Sequence, residues 1–436
     1  MKPKAVRKTL NQIVSEIAKY PYLFSNSWRK DFTRNRKIGM SDVMLAVLGM
    51  EGKSLPNELF EFYHHRKTMP TVSAFVQQRG KLKPEAFEFL FREFTETCAQ
   101  NDGFYRGYRL LAADGSHVQI AANPTDADSY IAASDGQKPY SMLHLNTVYD
   151  LNRRIYLDAV VQKYRCQNEH KALVTMIDRS SVPSAILLAD RGYESYNNMA
   201  HCQEKGWKYL FRIRDNGSNM TSCLNLPDCD EFDFPVCLHL TRRQRKSTKH
   251  LLKDKKHYRI ISASNTFDYL ILNETPDFYT LTFRIVRFRI SDSDFETVVT
   301  NLDSTEFPPD ELKKLYSLRW GIETSFRYLK HTIGLLHFHA KKVEHILQEI
   351  FARLTMYNFS ELITSHVVIL KNGRKHDYIV NFSASVHICR QFFRGNVSPP
   401  VLEALIARYL SPIRPGRHRP RKLTQKSSVS FIYRIA

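Results

Sequence analysis

Apolar positions follow a helical period at the start of the chain and a strand period from about residue 106 onward. Up to about residue 105, SDVMLAVLGM, with Ser41 as an N-cap, and PEAFEFLFREFTETC, with Pro84 in a first-turn position, carry the apolar stripes of amphipathic helices. Between them, TVSAFVQQRGKL predicts a short helix ended by Gly80. Two helices joined by a short turn suit a DNA reader and suit a plain helical hairpin as well. From about 106 to 215, RLLAADGSHVQI, HLNTVYDL, IYLDAVVQKY, AILLADRG and WKYLFRIRD are apolar or alternating runs that predict strands, with helices at NEHKALVTMID and YNNMAHCQEKG. A meander followed by alternation predicts a mixed α/β sheet. From about 216 to 305 the runs YRIISAS, FDYLILN, FYTLTFRIVRFRI and FETVVTNL are β-rich, with no helix of useful length. The helical period returns at PPDELKKLYSLRWGIETSFRYLKHTIGLL, with Pro308 and Pro309 at its start and Glu311 in its first turn. The stretch 216–305 therefore looks like an insertion between two halves of one domain.

Charge narrows the function class. The 436 residues include 64 Lys plus Arg against 44 Asp plus Glu, a formal net charge of +20. That surplus favours a polyanionic partner. With 27 Phe, 22 Tyr and 43% hydrophobic residues, the chain is a folded protein and not a basic tail. No apolar run of about 20 residues predicts a membrane span, and MKPKAVRKTL lacks the apolar stretch of a secretory signal, so the expected place is the cytoplasm. Seven cysteines without a framework spacing fit a reducing compartment. Cys223, Cys229, Cys237 and His239 cluster but miss the usual zinc spacings. EGKSLP lacks the first glycine and the preceding strand of a phosphate-binding loop.

In YSLRWGIETSFRYLK, Glu323 stands among Tyr316, Arg319 and Lys330. At about 100° per residue, Glu323 falls about 40° from Arg319, Lys330 about 20° and Tyr316 roughly 60°. One face of a helix thus offers a carboxylate, two cations and a phenol, which suits a metal ion with a phosphate and also suits an exposed, charge-paired helix. Two strands end in acids, Asp114 in LLAADGS and Asp190 in LLADRGY. Functional groups gather where strands of an open α/β sheet end. Asp114 also reads as a turn residue of a D-G pair, and Asp190 as a loop or capping acid. Three carboxylates from separate segments of a basic protein are what two-metal phosphoryl chemistry needs, with Arg319 and Lys330 on DNA phosphates and Tyr316 donating to a phosphate oxygen.

ADGS around Asp114, LADRGY around Asp190, and the Y-x(2)-R-x(3)-E-x(6)-K pattern at Tyr316, Arg319, Glu323 and Lys330 resemble the DDE transposases of bacterial insertion sequences, specifically the insertion-sequence-four family. FTRNRKIGMSDVMLAVL, TVSAFVQQRGKLKPEAFEFLF and the basic PIRPGRHRPRK extend the resemblance over nearly the whole chain. It implies an α/β fold: a helical N-terminal DNA-binding domain (1–105), an RNase H-like core in two halves (106–215 and 306–395), a β-rich insertion (216–305) and a basic C-terminal tail (396–436). Asp114, Asp190 and Glu323 would be the catalytic, metal-binding triad. The implied cofactor is Mg²⁺, two ions per site, with Mn²⁺ able to substitute. The implied partners are double-stranded DNA, as terminal inverted repeats and target DNA, and a second protomer or more in a synaptic complex; the implied setting is the bacterial nucleoid.

Further residues extend the picture. Arg191 is a candidate phosphate contact or a partner of Asp190. Arg417 and Arg419, with Arg414, Arg421 and Lys422, lie among prolines in an extended arm that suits a DNA backbone. The run TRRQRKSTKHLLKDKKH suits a phosphate contact or a solvated loop. Glu169 in QNEHKAL resembles an acidic position often seen in that family before the second aspartate, and reads otherwise as an acid at a helix N-terminus. His337 and His339 are not assigned to a metal. Hairpin-forming relatives carry an insertion tryptophan on which a flipped base stacks; here Trp28, Trp207 and Trp320 all lie outside 216–305, leaving Tyr269 or Phe283 for that task. A nuclease on the same core, or a silent DNA-binding regulator derived from a transposase, are the alternative functions.

Overall fold

The structure, a computed structural model, describes residues 1–413 apart from 35–36, 68, 100–101, 134–137, 215–219, 271–276, 292–293 and 370–376. Arg417, Arg419 and the rest of the proposed basic arm therefore lie outside the described residues.

A single mixed sheet organises the chain. Its strands are β1 (Arg109–Ile120), β2 (Tyr130–Ile131), β3 (Tyr140–Asp150), β4 (Ile155–Lys163), β5 (Ala185–Ala189), β6 (Lys208–Arg212), β7 (Phe232–Thr241), β8 (Tyr258–Ile260), β9 (Tyr279–Arg289) and β10 (Phe295–Thr300). The order is β2-β3-β1-β5-β6-β10-β9-β7-β8, with β4 also on β3. Strands β4, β3 and β1 are antiparallel, whereas β5 and β6 run parallel to β1. A three-stranded meander followed by two parallel strands reached through helices is the RNase H-like arrangement. The strands of 232–300 extend that same sheet, because β10 pairs with β6.

Alternation along β1 divides the sheet's two faces. Leu111 and Ala113 enter a core with the helices Glu169–Asp178 and Tyr196–Glu204, whereas Leu110 and Ala112 face the other way. On that second face Leu110, Ile186, Leu188 and Leu210 pack against Phe307, Leu312 and Leu315 at the start of the late helical segment. Beside it the helix Val343–Thr364, buried along nearly its whole length, is enclosed by the helices Pro3–Lys19, Met40–Gly49 and Glu85–Thr97. Its polar residues Gln348, Glu349, Arg353 and Asn358 are buried with the rest and paired inside the protein, so no solvent-facing polar stripe is present. Among the described residues no helix is long and apolar enough to cross a membrane.

Several local expectations change. The helix Met40–Gly49 is capped by Gly39, whose N–H donates to Asp42 at 2.8 Å, so Ser41 is inside the helix and is not its cap. Thr71 does cap the helix Val72–Arg79, which Gly80 ends. Phe267–Leu270 of FDYLILN form no strand, and the following residues lie outside the described set. Strand β7 was not anticipated: Asp233 and Pro235 mask its period, yet it pairs with β9 over nine positions. Within the basic run, read as a phosphate contact or a solvated loop, lies a short helix, Lys246–Lys249.

Candidate active site

Asp114 sits inside a strand and not at its end. β1 continues past it to Ile120, with Asp114 level with Thr147 of β3, so the D-G pair makes no turn. The parallel register of β1 and β5 runs Leu111 with Leu187 and Ala112 with Leu188. Continued two residues, it sets Asp114 level with Asp190, just past the end of β5. Both side chains fall on the face occupied by the late helical segment. Asp114 accepts from the Gly115 N–H at 2.8 Å, and Asp190 caps a short turn by accepting from the Gly192 N–H at 2.9 Å.

The late segment is less regular than one straight helix. Helix Pro309–Leu318 ends at Arg319 and helix Trp320–Tyr328 begins there, with three-residue hydrogen bonds on both sides of the join. A π-helical turn, Leu329–Ile333, follows and holds Lys330. Tightening and then widening shift the angles expected of a uniform helix. The four side chains still bear on the same acids. Arg319 Nη2 donates to Glu323 Oε1 at 2.9 Å. Gly321 lets this helix close on the strands, since a Cβ there would stand 2.9 Å from Leu151.

Burial pushes the Asp114 carboxyl up to about 6; Asp190 and Glu323 add to the rise, while the Gly115 N–H and Arg319 work against it. Burial draws Lys330 down, against the pull of Asp114. Burial likewise lifts the Tyr316 phenol to about 12, opposed by Arg319. Three carboxylates and three cationic or phenolic groups thus share one electrostatic neighbourhood.

Arg319 is 6% exposed and Tyr316 3% exposed, and neither Arg319 Nε nor Tyr316 Oη has a hydrogen-bond partner. Other buried donors, Tyr209 Oη and Arg390 Nε among them, also lack partners; what sets these two apart is that Asp114, Asp190 and Glu323 act on them electrostatically. The donor set is all oxygen, which suits a hard divalent cation that keeps several waters. Among the described residues no three His, Cys, Asp or Glu side chains are drawn together closely enough to hold a metal ion.

A model of the transposase DDE domain matches residues 105–359, more than half of the chain. The chain belongs to the transposase DDE-domain family. A transposase of this family is an enzyme of DNA cleavage and strand transfer, and its relatives generally use divalent metal ions. No curated protein matches the chain. Among solved structures, it is similar to the piggyBac transposase in a synaptic complex with hairpin DNA, at 12% identity and a TM-score of 0.44, over 96% of this chain and 87% of that one.

The remaining candidates separate. Arg191 is exposed in the turn after Asp190 and, among the described residues, makes no ion pair with it. Phe283 is 3% exposed inside the core and has no face for a base. Tyr269 stacks on Tyr279 and leans on His201, so its ring is already in use. His339 lies in a buried ionic cluster with Glu58 and Glu349. Glu169 is indeed the first residue of a helix, but it also lies 2.8 Å from His144 Nε2, and the closeness of that imidazole holds its carboxyl below the usual range, although the two do not meet in hydrogen-bond geometry. His144 was missed by sequence reasoning. The available signal was Gly115 directly after an acid, a position where only a missing side chain leaves room.

Proposed function

We propose that this transposase belongs to the insertion-sequence-four family, cuts the ends of an insertion sequence and joins the freed 3′-hydroxyl ends to target DNA. The observation that supports this most is the pair of buried, unpartnered donors, Arg319 Nε and Tyr316 Oη, beside Asp114, Asp190 and Glu323. Asp114, Asp190 and Glu323 hold the cations; Arg319, Tyr316 and Lys330 hold phosphate oxygens, Arg by its planar fork and Lys as a point charge. Two Mg²⁺ ions, with Mn²⁺ as substitute, supply activation of the attacking oxygen and stabilisation of the leaving one. Hydrolysis at the element end and transesterification at the target are both in-line displacements, so one set of residues serves both.

In this reading residues 1–105 bind the terminal inverted repeats, 106–215 and 306–395 form the catalytic core around 216–305, and 396–436, with Arg417 and Arg419, follow a DNA backbone. Arg191, exposed next to Asp190, meets a phosphate. Two or more protomers form the synaptic complex, in the bacterial cytoplasm on the nucleoid. The test is cleavage and joining of a labelled element-end duplex with Mg²⁺ by this chain and by Glu323→Gln. Joined products that vanish in the variant support the reading; nicking without joining would favour a nuclease, and binding without cleavage a regulator.

A further inference from the structure

On the face of β1 away from Asp114, a second set of groups converges. A Cβ on Gly115 would stand 2.5 Å from His144 Nε2 and 2.9 Å from Glu169 Oε1, so the pair those atoms form, at 2.8 Å, crosses directly over this glycine. The other oxygen, Glu169 Oε2, lies 3.6 Å from where a Cβ on Gly192 would stand, and Asp190 Oδ1 lies 3.0 Å from that same point. Glu169 therefore reaches from the residue after the first acid to the turn that carries the second.

Helix capping does not account for this. Asn168 already caps the helix Glu169–Asp178, accepting from the Lys171 N–H at 2.9 Å. A purely structural pair does not account for it either. His144 is 3% exposed and its Nε2 lies 2.8 Å from Glu169 Oε1 without hydrogen-bond geometry, while the Glu169 side chain is 37% exposed, so the buried imidazole borders one oxygen and leaves the carboxylate open to solvent at the strand edge. Two glycines, one beside each acid, clear the path.

We propose that Glu169 is a fourth acid of the cation-binding edge, on the side of Asp190, and that His144 is the positioning residue that aims it. The inference rests on the reading of Asp114, Asp190 and Glu323 as the cation-binding triad, and adds to it one carboxylate drawn from the opposite face of the sheet. A hard divalent cation that keeps part of its water shell is served by such an acid directly or through a bound water.

The test is Mn²⁺ binding to the full chain, read from the electron paramagnetic resonance of the free ion, with metal-free melting as the control for folding. Glu169→Gln keeps the shape of the side chain and removes its charge; the expected result is Mn²⁺ affinity lower by about tenfold, the size typical of lost supporting groups, with melting unchanged. His144→Gln should weaken binding in the same direction. The double variant should bind no more weakly than Glu169→Gln alone, because His144 acts through Glu169. Wild-type Mn²⁺ affinity in Glu169→Gln alongside a loss in Glu323→Gln would overturn this inference and leave the triad standing. Wild-type affinity in Glu323→Gln and Asp114→Asn, or no Mn²⁺ binding by the wild-type chain, would overturn the triad and this inference together.

Discussion

Arg319 donates to Glu323 across one helical turn at 2.9 Å, and the two act on Asp114 in opposite senses, the guanidinium lowering its proton affinity and the carboxylate raising it. The pair is more than a surface i,i+4 contact, because Arg319 is buried while one of its donors, Nε, stays unpartnered. Arg319→Ala is expected to cut strand joining by about 100-fold, the usual cost of losing one preorganised charge-stabilising donor. Arg319→Lys should not restore it, since a point charge does not reproduce the planar fork. Single-turnover joining of a labelled duplex by both variants is the measurement; full rescue by Lys would contradict a role for the fork.

Gly115 carries the sharpest steric expectation in the molecule. A methyl group there would collide with His144 Nε2 at 2.5 Å and with Glu169 Oε1 at 2.9 Å. Overpacking of this kind typically costs about 1–3 kcal/mol. Gly115→Ala should therefore melt at a lower temperature and lose DNA cleavage, by forcing apart the strand and helix that bracket Asp114 and Asp190. Thermal melting beside a cleavage assay tests this, and a variant that cleaves like the wild type would show that the gap can relax.

How much of this was legible beforehand depends on what each feature rests upon. Strands β1, β3, β4, β5, β6, β9 and β10 follow apolar periods that local sequence records, and Asp190 and Glu323 stand out because a strand end and a charged helix face are local patterns. Strand β7 was hidden because the partner β9, and not its own composition, stabilises a run containing Pro235. The D-G pair at Asp114 and Gly115 pointed to a turn, yet pairing with β3 on one side carries the strand straight through. The glycine answers to His144 and Glu169, which are 29 and 54 positions away and meet it only in the folded chain. Long-range demands of that sort leave no periodic trace.

Glu349 should be the costliest buried acid to remove. It is almost fully enclosed, 3.0 Å from Arg79, 2.9 Å from Arg353 and 3.2 Å from His339, and so ties the N-terminal helices to the helix Val343–Thr364. Burial opposes its charge, but Arg79 and Arg353, followed by His339, outweigh that and hold it far below the usual carboxylate range. Glu349→Gln strands two buried guanidinium groups, which typically costs about 3–5 kcal/mol. Urea denaturation should show that loss; an unchanged midpoint would mean the arginines find other partners.

His339 makes the same cluster sensitive to pH. Burial disfavours its charged form, yet hydrogen bonds to Glu349 and Glu58 prevail and lift its pKa to about 9. A histidine raised in the folded state above its unfolded value of about 6.5 stabilises the fold fully below pH about 6.5, and that contribution disappears as the pH rises through about 9. The chain should lose stability across that window, by at most on the order of 3 kcal/mol from this group. His339→Gln should flatten the slope between those pH values. An identical slope in the variant would assign the effect to another group.

Tyr316 offers the cleanest separation of stability from function. Its hydroxyl is buried, its pKa is pushed up to about 12 mainly by that burial, and it has no hydrogen-bond partner. A buried hydroxyl without a partner costs the fold about 1–3 kcal/mol in lost solvation. Tyr316→Phe removes one oxygen and leaves the ring packed against Leu312 and Leu315. Melting temperature should stay level or rise, while joining of the element-end duplex should fall by about tenfold, the loss of roughly one hydrogen bond to a charged phosphate oxygen. A group kept only for packing would show neither effect on DNA, so a variant that is as stable and as active as the wild type would remove Tyr316 from the phosphate-binding set. Raised stability together with impaired joining would instead mark the hydroxyl as a group held unsatisfied until DNA arrives.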